Sequence, residues 1–154
     1  MDESLMRQAI ELAIDNVRRG GGPFGALVEK DGVVVATGVN QVTRHNDPTA
    51  HAEVVAIREA CRVIGSFQLA GCHLYTSCEP CPMCLGAIYW ARPARVFFAA
   101  THDDAAAAGF DDSFIYRQIA IPHSERSIPM IRVLDEKSTR PFEDWVNQAH
   151  KTEY

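Results

Sequence analysis

Between Ser4 and Arg19, apolar residues return every fourth position, at Leu5, Ala9, Ala13 and Val17, with polar residues between them. This spacing predicts an amphipathic surface helix with one buried stripe. Acids at its start, Arg18 and Arg19 at its end and Gly20 beyond agree with that reading. Phe24–Glu29 and Val33–Thr37 read as strands, and Lys30-Asp31-Gly32 between them supplies the glycine of a hairpin turn, so the two should pair antiparallel. After Asp47, a candidate cap, and Pro48 in a first helical turn, a second apolar stripe follows at Ala50, Val54, Ile57, Cys61 and Ile64. Leu74–Ser77 then reads as a short strand, Cys81–Ala91 as a helix stopped ahead of Pro93, and Arg95–Ala100 as a buried strand. Ser113–Gln118 is expected to be helical, Met130–Leu134 a strand and Phe142–His150 a last helix. Strands alternating with helices predict an α/β fold, a three-layer helix-sheet-helix sandwich in one domain spanning residues 1–154.

Composition narrows the classes open to such a fold. The chain has 154 residues, enough to bury a core without disulfides or metal, so a metal site here would serve chemistry. Its net charge of -5 and lack of a basic run argue against a nucleic-acid partner. No apolar run approaches the roughly 20 residues of a membrane helix, and the opening residues do not read as a signal peptide, so a cytoplasmic protein without a membrane partner is expected. Five cysteines, three of them at Cys78, Cys81 and Cys84, suit metal in a reducing compartment better than a disulfide framework.

The chemistry concentrates in two segments. Thr49-Ala50-His51-Ala52-Glu53 opens one helix and Glu79-Pro80-Cys81-Pro82-Met83-Cys84 the next. Histidine-x-glutamate with proline-cysteine-x-x-cysteine is the signature of zinc deaminases acting on nucleobases. Cys81 and Cys84, three apart, share a helical face, and His51 completes a set of three ligands for Zn2+, leaving the fourth position for water or hydroxide. Glu53 is the proton carrier in that scheme. Two residues on an ideal helix lie ~200° apart, so His51 and Glu53 converge only if the helix end brings them together. The alternative is a closed structural zinc module with Cys78 as fourth ligand and no catalysis.

The resemblance reaches beyond these motifs. Gly22-Pro23-Phe24-Gly25-Ala26, Asn46 to Glu53, Thr76 to Cys84, Gly86 to Arg92 and Gly109 to Phe114 are similar to bacterial guanine deaminases of the cytidine deaminase superfamily. It implies a five-stranded mixed sheet, hydrolysis of guanine to xanthine and ammonia, a purine base as small-molecule partner, and a homodimer whose C-terminal segments exchange between subunits. Guanosine, or another base handled by the same superfamily, is the alternative substrate.

A guanine pocket needs an aromatic wall with amide and carboxylate partners. Phe24, Asn40, Trp90, Asp112 and Tyr154 are the substrate-binding candidates, with Asp112 also a candidate for assisting the leaving amine. Each has a plainer reading: Phe24 and Trp90 as core, Asn40 as a turn residue, Asp111 and Asp112 as helix caps, Tyr154 as a frayed end. The resemblance favours Asp112 over Asp111, and makes Tyr154 part of a site through the exchanged tail. Gly20-Gly21-Gly22 reads as a helix stop and turn, and His102-Asp103-Asp104 as a solvated loop.

Overall fold

The computed structural model describes residues 2–154 and divides into two compact units, Met1–Ser113 and Phe114–Tyr154. In the first, helix α1 (Glu3–Arg18) begins at Asp2, whose carboxylate accepts from the Ser4 amide. Leu5, Ala9 and Ala13 are buried as the stripe predicts, but Val17 is 50% exposed and Asn16 is buried instead. The helical repeat explains the exchange. With ~100° per residue, position 16 returns to within ~20° of Leu5, whereas position 17 has drifted to ~120°. Gly20, with φ 80°, lets the chain turn away from α1.

Strands β1 (Gly25–Lys30), β2 (Val33–Val39), β3 (His73–Cys78) and β4 (Arg95–Ala100) form a mixed sheet in the order β2-β1-β3-β4. β1 runs antiparallel to both neighbours, β2 and β3, as the hairpin reading requires for β2, while β3 and β4 run parallel. Helix α4 (Pro82–Ala91) makes the crossover between these last two strands, as parallel pairing demands.

Successive side chains of β1 face opposite layers. Leu27 joins Leu5, Ala9 and Tyr75 under α1, whereas Ala26 and Val28 join Ala52, Ala56 and Ala60 of α3 (Ala52–Ile64), with Ile88 and Ala91 of α4. Helix α1 thus covers one face of the sheet and α3 with α4 the other, the expected three layers. Gly38 makes the second layer tight: a Cβ there would collide with the backbone of Ala52 and Ala56, so the small residue lets β2 lie directly against the first turns of α3.

Among the described residues the sheet has four strands, not five. The segment Met130–Leu134, expected to be a strand, takes no regular structure, and Ile131 and Val133 are 82% and 83% exposed. Its apolar residues suit a strand, but a strand is held by ladder hydrogen bonds to a neighbour. The second unit offers none: it consists of α6 (Ser113–Ala120, beginning at the boundary), a short 3-10 turn at His123–Glu125 and α7 (Arg140–Asn147).

Two short helices were not foreseen, α2 (Val42–His45) and α5 (His102–Ala107). The latter replaces the solvated loop expected at His102–Asp104. Thr101 and Asp104 form a reciprocal capping box, satisfying the amides that the first turn leaves without partners. No helix among the described residues is long and apolar enough to cross a membrane.

Candidate metal and catalytic site

The helix from Asp47 starts later than its proline suggests. Asp47 accepts from the backbone and hydroxyl of Thr49, making a compact turn, and α3 begins only at Ala52. His51 is therefore the N-cap of α3, with extended backbone at φ -71° and ψ 155°. Cys81 is likewise the N-cap of α4, at φ -65° and ψ 168°, with Pro82 opening the helix. Outside the helical repeat, the ~200° separation no longer governs His51 and Glu53. The first ligand of each motif sits at a helix threshold, and Glu53 and Cys84 lie within the opening turns. Both helix N-termini carry partial positive charge, which favours anionic thiolates.

His51, Cys81 and Cys84 come together, their donor atoms all within 4.8 Å of one another. The Nδ1 of His51 is 3.5 Å from each of the two Sγ atoms. Tetrahedral zinc with ordinary Zn–N and Zn–S bonds requires an N···S separation of about 3.6 Å, so the three residues fit this ion. Their chemistry agrees: two thiolates and an imidazole are a zinc donor set. Hydrogen bonding from the Cys84 thiol and from His51 lowers the Cys81 pKa to about 4. Cys84 is shifted upward as the donor to that thiolate, and His51 is raised through its hydrogen bond to Cys81.

Cys78 is outside this group. It is buried at the end of β3, its thiol donates to the Thr101 carbonyl at 3.5 Å, and burial pushes its pKa up to about 11. A neutral thiol occupied in that way is a poor fourth ligand.

Glu53 is 5% exposed, and burial raises its pKa above the ordinary carboxylate value, opposed by the Cys84 thiol within hydrogen-bonding reach. Desolvation of this kind favours the protonated form of a carboxyl.

The remaining candidates separate. Asn40 is buried just after β2, where its Oδ1 accepts from the Val42 amide at 3.3 Å. It therefore closes a turn, as its plainer reading holds, and this contact fixes the orientation of the amide, leaving Nδ2 as the donor. Phe24 lies edge-on to Phe110, with ring centroids 5.0 Å apart and planes at 88°. Both rings line an apolar cavity of about 380 Å³ bordered also by Ile10, Ala13 and Cys78. None of His51, Glu53, Cys81 or Cys84 lines it.

The two adjacent acids differ in their surroundings. The carboxylate of Asp111 accepts from the Ser113 amide at 2.9 Å, at the start of α6, while Asp112 is half-buried. Burial, and then the negative charge of Cys81, raise the Asp112 pKa. Trp90 near the end of α4 is 64% exposed, and Tyr154, in the second unit, is 69% exposed with its ring 6.2 Å from that of Trp145.

Two contributors escaped the sequence. Phe110 was hidden in a loop with no periodicity. Glu79 of the cysteine motif accepts from the His102 amide at 3.2 Å and meets its Nδ1 at 2.9 Å, strapping the turn ahead of Cys81 to the start of α5. Only folding brings these two residues together.

Residues 1–100 match the cytidine and deoxycytidylate deaminase zinc-binding region. The chain is 60% identical over 153 residues to the guanine deaminase of Bacillus subtilis (strain 168), covering 99% of this chain and 98% of that protein. An X-ray structure of guanine deaminase from Bacillus subtilis superposes with a TM-score of 0.98 at 59% identity, covering 100% of this chain and 99% of that one. A tRNA-specific adenosine deaminase of Aquifex aeolicus is 40% identical, but over 98 residues, 64% of this chain and 65% of that protein.

Proposed function

The chain belongs to the cytidine and deoxycytidylate deaminase zinc-binding family, and from that premise we propose that it hydrolyses guanine to xanthine and ammonia. The carrying observation is how far likeness extends. Likeness to the tRNA-specific enzyme spans about two thirds of the chain, whereas likeness to the guanine deaminase continues through the last forty or so residues. Those residues lie beyond the metal-binding region and so bear on the substrate more than on the reaction type.

His51, Cys81 and Cys84 hold zinc in this reading, and zinc supplies the Lewis acidity that makes water nucleophilic near neutral pH. Glu53 takes a proton from the attacking water on a carboxylate oxygen. It passes that proton to a ring nitrogen as the C–O bond forms at the amino-bearing carbon. It then relays the remaining proton of the added oxygen to the departing nitrogen, so that the C–N bond breaks with ammonia as leaving group. The oxygen remains as the new carbonyl. Burial raises the Glu53 pKa, which favours its holding the proton between the two transfers.

Nδ2 of Asn40 donates to the purine's ring acceptors and Phe24 packs against its face. Asp112 accepts from the ring N–H and the exocyclic amine, the pair of donors that distinguishes guanine from adenine. Trp90 and Tyr154, both exposed here, enter the reading through a second protomer, in a homodimer whose tails exchange. The exposure of α7's apolar residues, Phe142 and Val146 among them, supports such an assembly.

A screen of the purified, zinc-loaded protein against guanine, guanosine, cytosine and adenine, reading ammonia, tests the substrate. Release from guanine well above the others is expected. Turnover of guanosine or cytosine with none of guanine would overturn the assignment.

A further inference from the structure

Asn16 is the one polar side chain that α1 buries with its apolar stripe. At 3% exposure, it needs partners, and it has them: Nδ2 donates to the Gly22 carbonyl and to the Asn40 carbonyl, each at 2.8 Å. Both acceptors adjoin the proposed purine contacts. The Gly22 carbonyl also accepts from the Phe24 amide at 2.9 Å, and the Asn40 amide donates to the Phe24 carbonyl at 3.1 Å. The carbonyl of Asn16 in turn accepts from the Gly21 amide at 2.8 Å. A single side chain therefore ties the end of α1 to the glycine bend, the start of β1 and the end of β2.

The chemistry of this junction selects asparagine. Two carbonyl oxygens converge on one atom, and a primary amide nitrogen supplies two N–H donors in the required fork. Aspartate has the same shape but would set a carboxylate against both oxygens. Leucine would remove the side-chain donor to the Asn40 carbonyl and leave the Gly22 carbonyl with only the Phe24 amide. The space is equally exacting. A Cβ on Gly21 would stand 2.6 Å from Asn16 Cγ, so the middle glycine of the bend is small because this amide packs against it.

We propose that Asn16 is a positioning residue for base recognition. It holds the backbone of Asn40 and Phe24 in register with each other, and so aims the Asn40 amide and the Phe24 ring at the purine. It touches neither substrate nor metal. This inference rests on the guanine reading above, in which those two residues bind the base.

The test uses the full-length, zinc-loaded protein carrying Asn16→Asp, with Gly21→Ala as an independent variant that displaces the amide without changing any donor. For both, the KM for guanine is expected to rise about tenfold or more, as for loss of buried hydrogen bonds. Their kcat should stay within about threefold of wild type, with zinc content unchanged. A purely structural role would lower the melting temperature and the active fraction while leaving KM where it was. Unmoved KM in the folded variants, or a fall confined to kcat, overturns the proposal. Should Asn16→Asp fail to fold, Gly21→Ala decides. Wild-type protein inert toward guanine would sink the substrate reading, whereas normal wild-type turnover with unmoved KM in the variants sinks only the role of Asn16.

Discussion

The sheet with its flanking helices and the final forty or so residues are built on different terms. In the first, apolar stripes find partners: Leu27 and Tyr75 under α1, Val28 and Leu74 under α3. In residues 114–154, no described side chain is buried, although Phe142 and Val146 of α7 and Ile131 and Val133 of the preceding segment are as apolar as any core residue. The sequence pattern is comparable, yet the outcome differs because burial needs a second surface, and amphipathic periodicity specifies a face without specifying what covers it. The lesson extends to function. A metal site made by two packed helices is complete within one compact unit, whereas a contribution from the tail depends on what its apolar face meets.

The contrast can be sharpened by separating chemistry from recognition. The largest effect is expected from Glu53→Gln, which keeps size but removes the proton carrier. Turnover should fall by about 10²–10⁴-fold with zinc content unchanged, measured by ammonia release and metal analysis. Full activity in that variant would show that the buried carboxyl is a bystander.

A middling effect belongs to the tail. Tyr154→Ala is expected to raise the KM for guanine by about tenfold, leaving kcat and zinc nearly intact, because the residue is proposed to bind and not to react. Equal losses in kcat and in metal would erase the distinction between the two regions.

The smallest effect concerns the exposed strap between Glu79 and His102. Glu79 raises the His102 pKa above 6.5, and His102 lowers that of Glu79 below 4.5. The histidine's contribution is complete below 6.5 and is lost as pH rises through its raised folded value. The carboxylate's is complete above 4.5 and is lost as pH falls through its lowered folded value. The pair therefore stabilises chiefly between these limits. His102→Gln should lower the melting temperature slightly in that window and not at pH 9, the effect being small because both groups are solvated. An equal deficit at pH 9 would assign it to packing.

Much of the site was legible because its chemistry is local. His51 and Glu53 are two apart, Cys81 and Cys84 three apart, and helix starts hold such neighbours in fixed relation. The antiparallel β1–β2 hairpin, the three layers and the ends of α4 were readable for the same reason: turn chemistry and short-range periodicity encode them. Val17 against Asn16 marks the limit. Apolarity alone placed Val17 in the core, while the helical angle and two waiting carbonyls placed Asn16 there. The fourth-ligand question shows the same boundary. Cys78 is close to Cys81 along the chain, and only the fold turns its thiol toward Thr101.

By itself, then, the sequence determined the donor set, the order and type of most elements, and the reaction class those donors support. These depend on residue identity and on spacings of a few positions. Tertiary structure decided the rest: the four-stranded sheet, His51 and Cys81 as caps that bring two helix starts onto one point, the burial that raises Glu53, and the half-burial of Asp112. The physical reason is range. Hydrogen-bonded turns and helical periodicity act over a few residues, whereas desolvation and ladder pairing depend on segments that meet only when the chain has folded.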